Sequence, residues 1–327
     1  MLGTGPDACS RVTSNLRGST RDAVRRTCLA VPGSNARMID KARGLTTDMV
    51  FLDLEDAVAP GAKAQARSTI VEGLRTGGFA AQVVSVRIND VRTPWALDDV
   101  RAVVGQAAGS VDTVMLPKCS APDDVAWLDL TLAMVERSAG VAVGSVGIEV
   151  QIEDAQGLTA VDAVLAASKR IEAVHVGPGD LHASLGIPTT SLGRTGPDGD
   201  PFHHVLGRVL VAARAAGVQA LDGPFPTIPD ITGLTAAARR AAAMGYDGKW
   251  VLHPTQIAPV NAAFTPDQDA FDHAERVLAA YELATSAAGG HRGAILHDGE
   301  MVDEATRRMA LTVRQRGRAA GMVPTDT

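Results

Sequence analysis

Short runs of β-branched and other apolar residues recur along the first 250 residues. Longer Ala-rich segments, with apolar residues three and four apart, separate them. The runs are "TCLAVP" (27–32), "DMVFLDL" (48–54), "VVSVRI" (83–88), "DTVMLP" (112–117), "SVGIEVQI" (145–152), "EAVHVG" (172–177), "VQALDGP" (218–224) and "DGKWVLHP" (247–254). Segments such as "ARMIDKARGL", "DVAWLDLTLAMVERSA" and "LTAVDAVLAASKR" carry the helical period between them. Strands that alternate with helices pair in parallel through right-handed crossovers. Eight such units predict a (β/α)8 TIM barrel over residues 27–262. A doubly wound sheet competes, but it ordinarily shows a Gly-rich turn after its first strand. Here "VPGSNARM" has one glycine and a proline.

Past the eighth run, "DQDAFDHAERVLAAYELATSAA" (267–288) reads as an amphipathic helix, and "GGHRG" breaks it from a tail running to residue 327. Residues 263–327 are therefore expected to form a C-terminal helix and lid that reaches across the mouth or onto a neighbouring subunit. Residues 1–26 are expected to be a poorly ordered N-terminal segment. The stretch "DACSRVTSNLRGSTRDAVRR" is Ser- and Arg-rich like a transit peptide, but Asp7, Asp22 and the lack of an apolar face favour a frayed terminus.

Aromatic residues make up only 3% of the chain, so the core must be built from Ala, Val, Leu and Ile. A net charge of −6 argues against nucleic acid or an anionic membrane as partner, while leaving room for a local basic pocket. No apolar run approaches the ~18 residues of a transmembrane helix. Cys9, Cys28 and Cys119 are too scattered for a disulfide framework or a zinc site, which points to a reducing compartment, the cytoplasm.

Catalytic groups in this architecture sit at the C-terminal ends of strands. Reading only those positions yields Asp53, Glu55 and Asp56 in "DLEDAV", Arg87, Lys118, Glu153 in "GIEVQIEDAQGL", Asp180 in "GPGDL", Asp222 and His253. Any one acid, such as Asp56, Asp154 or Asp180, could simply cap a helix. Several carboxylates crowding one mouth repel each other unless a cation is present. Only Arg87 and Lys118 offset them. A hard divalent ion answers that excess: Mg²⁺ on Glu153 and Asp180, with Mn²⁺ as the alternative. Histidine spacing does not suit zinc, no G-x-S-x-G elbow supports a serine nucleophile, and Cys119 reads as a small buried hydrophobe.

"LAVPGSNARMIDKA", "VFLDLEDAVAPGAKAQAR", "VRIN", "VMLPK", "IEVQIEDAQGL", "GPGDLHASLGIP" and "VLHPTQI" occur in an order that resembles the citrate lyase β-subunit and malyl-CoA lyase-like family, within the HpcH/HpaI aldolase superfamily. The resemblance spans roughly residues 27–310 and leans toward the malyl-CoA lyase-like members. It implies an Mg²⁺-dependent barrel, trimeric or hexameric with the lid exchanged between subunits. Such a barrel cleaves or forms a C–C bond between an acyl-CoA and a 2-oxo acid. It implies metal ligation by Glu153 and Asp180, substrate contact through Arg87, and proton transfer by Asp303 in "GEMVDEATRRMA". It also implies Lys41 near the CoA phosphates and Pro254 beside the substrate; Asp53, Glu55 and Asp56 are expected behind the metal and the arginine. The family pattern F-V-P-G-x-R is broken here by Ala30 and Asn35, which weakens the expected nucleotide contact; Arg37 lies two residues further on. Two alternatives follow: a CoA-independent, metal-dependent aldolase of a pyruvate-type 2-oxo acid, and a citrate lyase β-like subunit of a larger complex.

Overall fold

Alternation along each strand sends one set of side chains out to the helices and the other into the barrel. A computed structural model of the chain describes residues 20–107, 109–188, 192, 200 and 202–325. The strands are β1 Thr27–Pro32, β2 Met49–Asp53, β3 Val83–Arg87, β4 Thr113–Leu116, β5 Gly147–Ile152, β6 Ile171–Val176, β7 Gln219–Asp222 and β8 Gly248–Val251. They pair in parallel in chain order, and β1 closes the ring on β8 through Thr27↔Lys249 to Leu29↔Val251. The fold is the expected (β/α)8 barrel, with one strand in each predicted run.

Around it lie α1 Ala36–Ala42, α2 Lys63–Thr76, α3 Ala96–Gln106, α4 Pro122–Ala139, α5 Ala155–Ala166, α6 Pro178–Ser184, α7 His203–Ala216, α8 Ile231–Met244 and α9 Ile257–Phe264. Loop-end side chains start several of them. Asn35 accepts from the Met38 N–H at 3.1 Å, Asp154 from Gly157 at 2.6 Å and Asp230 from Gly233 at 2.8 Å. Val50, Leu52, Val84, Val86, Val114 and Val174 belong to the large core between sheet and helices. Cys28, Met49, Phe51, Met115, Leu221 and Trp250 fill the inside of the ring.

On β5 the alternation has an unusual assignment. Ile148, Val150 and Ile152 join the outer core, so Glu149 and Gln151 point along the barrel axis, with Glu153 next above them. The polar face of this strand is buried rather than wet.

Part of the chain ahead of β1 packs with the barrel. Thr20–Arg26 pack against its floor. Arg25 is 1% exposed and forms ion pairs with Glu149 (3.1 Å) and Glu172 (2.7 Å). A Cβ on Gly248 would meet the Arg25 carbonyl oxygen at 1.8 Å, so only glycine lets this segment cross β8. The segment's arginine has a buried counter-charge that its composition does not reveal. Residues 1–19 lie outside the described residues.

The C-terminal part has a core of its own. Helix α10 (Gln268–Thr285), a hairpin of β9 (Ile295–His297) and β10 (Glu300–Val302), and α11 (Glu304–Ala319) bury Ala274, Val277, Leu278, Tyr281, Val302 and Ala310 together. The far end of α11 is tied to the loop leading into β8, where Arg316 donates to the Gly245 and Tyr246 carbonyls. That loop lies at the barrel floor, opposite the mouth.

Candidate active site at the barrel mouth

Glu153 follows the last residue of β5, where the strand carries it to the barrel axis at the mouth. It is 2% exposed. Its Oε1 accepts from the backbone N–H of Lys118 at 2.6 Å, and its Oε2 accepts from Gln151 Nε2 at 2.6 Å. Burial pushes its carboxyl up to about 8, with Lys118 opposing that shift. Space for the side chain depends on Gly177, which lies between β6 and α6. A Cβ there would stand 2.5 Å from Glu153 Cβ and 2.6 Å from its Oε2. Gly177→Ala is therefore expected to displace the carboxylate by a substantial fraction of an ångström. Such a misplacement lowers kcat about 10²-fold, with the thermal midpoint changed much less; steady-state rates and melting curves on the purified variant check this.

The "DLED" turn after β2 holds the arginine. Asp53, at the end of β2, accepts from Arg87 Nε at 2.8 Å and Nη2 at 2.7 Å, a two-pronged contact between neighbouring strands. The same carboxylate accepts from the backbone N–H groups of Glu55 (2.8 Å) and Ala57 (3.1 Å), so it orders its own loop. Burial works against the Asp53 charge, but Arg87's charge and hydrogen bonds outweigh it and hold the carboxyl below the usual range. Burial likewise opposes the Arg87 charge, and the field of Asp53 more than offsets it. Arg87 Nη1 has the looser contacts, 3.2 Å to Glu55 Oε2 and 3.4 Å to Gln151 Oε1. That edge of the fork is the one a substrate oxygen can take over.

Lys118, just beyond β4, connects the acids. Its φ of 48° is left-handed, a conformation that costs a non-glycine residue about 1–2 kcal/mol. In return its N–H faces Glu153, and its ammonium pairs with Glu55 and lies 3.6 Å from Asp56 and 3.5 Å from Asp180. Burial disfavours its charge, but the Glu55 hydrogen bond and the field of Glu153 prevail and raise its pKa. Burial raises the Glu55 carboxyl, against the pull of Arg87. Asp180 stands in the first turn of α6 with its side chain half exposed, open to solvent and ligand. Its helix is capped at Gly177, so Asp180 is not the cap that a lone acid in this position would ordinarily be.

Among the described residues, no three His, Cys, Asp or Glu side chains converge closely enough to hold a metal by themselves. One buried and one open carboxylate, both oxygen donors, suit an ion that takes one or two carboxylates and completes its shell with water and substrate. The carboxyl of Glu153, pushed up by burial, is the group that a nearby cation would most favour in its ionised form. The residues present thus fit Mg²⁺.

Other expected positions fall elsewhere. Arg37 and Lys41 are exposed on α1, four residues apart, beside the mouth end of β1. Pro254 opens a short 3-10 turn after β8, capped by His253. Asp56 is exposed; its carboxylate lies 3.6 Å from the Lys118 ammonium, and its N–H donates to Glu55 Oε2 at 3.1 Å. Asp222 is paired with buried Lys249 at 2.6 Å, which removes it from the uncompensated charge. Asp303 is the N-cap of α11 and accepts from the Thr306 N–H at 3.0 Å; its hydrogen bonds stay within its own first turn. Among the described residues, no hydrogen bond or ion pair joins it to Glu153, Asp180 or Arg87. Cys119 is buried, with its thiol pushed up to about 12 by burial, so it is no nucleophile.

Sequence reading overlooked Gln151, which joins Arg87 to Glu153, although its two-residue spacing from Glu153 on one strand was a usable signal. It also missed Lys63, whose ammonium donates to the Leu54 and Glu55 carbonyls at 2.7 Å each and braces the "DLED" turn. No local pattern marks that residue.

Residues 26–254 match the family model described as HpcH/HpaI aldolase/citrate lyase. An L-malyl-CoA/beta-methylmalyl-CoA lyase of Cereibacter sphaeroides is 38% identical over 296 residues, covering 87% of this chain and 92% of that protein. A malyl-CoA/beta-methylmalyl-CoA/citramalyl-CoA lyase of Chloroflexus aurantiacus is 30% identical, covering 81% of this chain and 79% of its own. The crystal structure of CitE from Mycobacterium tuberculosis in complex with magnesium, acetoacetate and coenzyme A superposes with a TM-score of 0.69 at 31% identity, covering 91% of this chain and 99% of that one.

Proposed function

The chain belongs to the HpcH/HpaI aldolase/citrate lyase family, and from that premise we propose that its barrel mouth cleaves, or forms, the C–C bond of a β-hydroxyacyl-CoA. Malyl-CoA, β-methylmalyl-CoA and citramalyl-CoA are the substrates in view, and the products are an acyl-CoA and a 2-oxo acid. The observation that carries the reading is the joining of buried Glu153, open Asp180 and the Asp53-braced fork of Arg87 through Lys118 and Gln151.

Cleavage requires the β-hydroxyl to give its proton to solvent at the open mouth as the C–C bond breaks, and the electron pair of that bond passes to the thioester enolate. Arg87 presents Nη1 to the oxygens on which that charge grows, and its fork is already oriented by Asp53, so little reorganisation is needed. Glu153 and Asp180 would hold Mg²⁺, which when bound supplies Lewis-acid polarisation of the 2-oxo acid oxygens. Asp303, contributed by a neighbouring copy, moves the proton at the acyl carbon. Arg37 and Lys41 serve the CoA phosphates from one face of α1. Asn35, which the helix uses as its cap, is not required for that contact.

The shared arrangement implies a homo-oligomer, a trimer or hexamer. Support comes from the separate core of the C-terminal module and from its exposed apolar side chains, Leu296 at 77% and Met301 at 69%. Mixing a Glu153→Gln protein with an Asp303→Asn protein, each inactive alone, is expected to restore part of the activity as subunits exchange. Absence of any recovery after verified exchange would mean that Asp303 does not serve a neighbouring copy's mouth, and an active Asp303→Asn protein would place it outside the reaction. No helix among the described residues is long and apolar enough to cross a membrane.

Metal binding should depend on pH. With the Glu153 carboxyl near 8, an Mg²⁺ ion must displace its proton below that pH. Affinity is expected to rise about tenfold per pH unit from 6 to 8 and to level off above. Calorimetric titration in buffers of different ionisation enthalpy should find close to one proton released at pH 7. A flat profile from pH 6 to 9 would remove Glu153 from the metal.

The reading itself is tested by offering the purified protein malyl-CoA, citramalyl-CoA, and pyruvate with a free aldehyde in parallel. Cleavage of a thioester with no aldol product from the CoA-free pair is the expected outcome. The reverse pattern would establish the CoA-independent aldolase instead.

A further inference from the structure

Beneath the mouth, the barrel interior carries a hydrogen-bonded column that the reaction outlined above leaves unused. Trp250, on β8, packs its ring on Phe51 with centroids 4.5 Å apart, and the Arg87 guanidinium lies 5.4 Å from the Trp250 ring centre. Its indole N–H donates to His175 Nδ1 at 2.6 Å. Indole can only donate, so His175 Nδ1 must be bare and the ring carries a proton on Nε2. That proton is donated to Glu149 Oε2 at 2.6 Å, while Glu149 Oε1 accepts from Arg25 Nε at 3.1 Å and Thr113 Oγ1 at 3.2 Å. Arg25 is held in turn by Glu172 at 2.7 Å and by the Thr20 carbonyl at 3.0 Å.

All of these side chains are buried. A buried ionic network of this kind is often no better for stability than apolar side chains of the same volume. Its directional content is what apolar packing could not supply. Each bond fixes the next group's plane, from the floor segment up to the indole, and the indole is the platform under the guanidinium.

We propose that Trp250 is a positioning residue for Arg87, oriented through His175 and Glu149 by Arg25 at the barrel floor. The inference rests on the role of Arg87 given above. A desolvated aromatic face attracts and aligns a guanidinium that lies over it. Asp53 fixes two N–H groups of that guanidinium from the side, and Trp250 fixes its height from below. Nη1, the edge offered to substrate, is then left with one placement.

A double-mutant cycle on kcat/KM tests this, with Trp250→Leu and Arg87→Lys made singly and together. Trp250→Leu alone is expected to lower kcat about tenfold while leaving KM for the thioester within about twofold, since the CoA end is remote. In the Arg87→Lys background the same change should cost less than about twofold, because the fork it aligns is gone. Equal losses in both backgrounds would mean Trp250 acts on the fold generally, and the proposal would fall. An Arg87→Lys enzyme as fast as the wild type would instead overturn the role of Arg87, and this inference with it. If Trp250→Leu does not fold, Trp250→Phe replaces it in the cycle; it keeps a ring but cannot bond His175, and a smaller non-additive loss is expected. Additive behaviour of Trp250→Phe would overturn the proposal equally.

Discussion

Glu153→Gln is expected to abolish detectable turnover while changing the thermal midpoint little, since the gain from a neutral group is offset by one unmet buried donor. The two effects have one origin. Burial already pushes the Glu153 carboxyl up to about 8, so at neutral pH the metal-free fold prefers a neutral group there. Glutamine supplies one of almost identical shape. It cannot serve as an anionic ligand, and its NH₂ must face one of the two donors that the carboxylate now satisfies, Lys118 N–H or Gln151 Nε2. If Gln151 turned over to relieve that conflict, its own NH₂ would face Arg87 Nη1, which now donates to its Oε1. A bound Lewis acid is worth several kcal/mol of transition-state stabilisation, so kcat should fall by at least about 10³-fold. Loss of activity with little loss of stability is the mark of a site built against the fold's own preference. A variant that is both inactive and strongly destabilised would instead show Glu153 to be a structural acid.

Arg87→Lys carries the second large effect, a fall in kcat of about 10²–10³-fold with the charge retained. A guanidinium spans both Asp53 oxygens and still offers Nη1 to the mouth. An ammonium is a point donor that cannot do both. Drawn to Asp53, it leaves the substrate oxygens without a donor; drawn to substrate, it leaves buried Asp53 half satisfied. Steady-state kinetics distinguishes the cases, because a purely binding role would raise KM and leave kcat intact. Unchanged kcat would mean the fork acts only in the ground state.

How much of this could be read beforehand varies with the physics involved. The eight strands were legible because β-branched runs and helical periods alternate with little ambiguity, and the closed ring follows from them. Asp53, Glu55, Arg87, Lys118, Glu153 and Asp180 were legible because a parallel barrel sends every strand end to one mouth. Their partnerships were not. Nothing local says that Lys118 adopts a left-handed backbone and gathers Glu55, Asp56 and Asp180, or that Lys249 neutralises Asp222. The interior column was hidden for a different reason. On a half-buried strand, alternation normally marks the polar face as wet, and in β5 that face looks into the barrel, where Glu149 finds Arg25 and His175. The Ser- and Arg-rich segment before β1 carried the same ambiguity, since an arginine reads as solvated until its buried counter-charge is found. Asp303 was placed in sequence but not in space, because its hydrogen bonds close on the first turn of its own helix, which no local pattern separates from an ordinary cap.

The central claim is that this mouth breaks a C–C bond of a β-hydroxyacyl-CoA with the help of a divalent metal. The most direct measurement is the rate of 2-oxo acid release from malyl-CoA by one protein preparation, first with Mg²⁺, then after chelation, then with Mg²⁺ restored. Glyoxylate and acetyl-CoA should appear in equal amounts, stop with the chelator and resume with the metal. Undiminished release after complete removal of metal, or no release from malyl-, β-methylmalyl- or citramalyl-CoA under any of the three conditions, would contradict it.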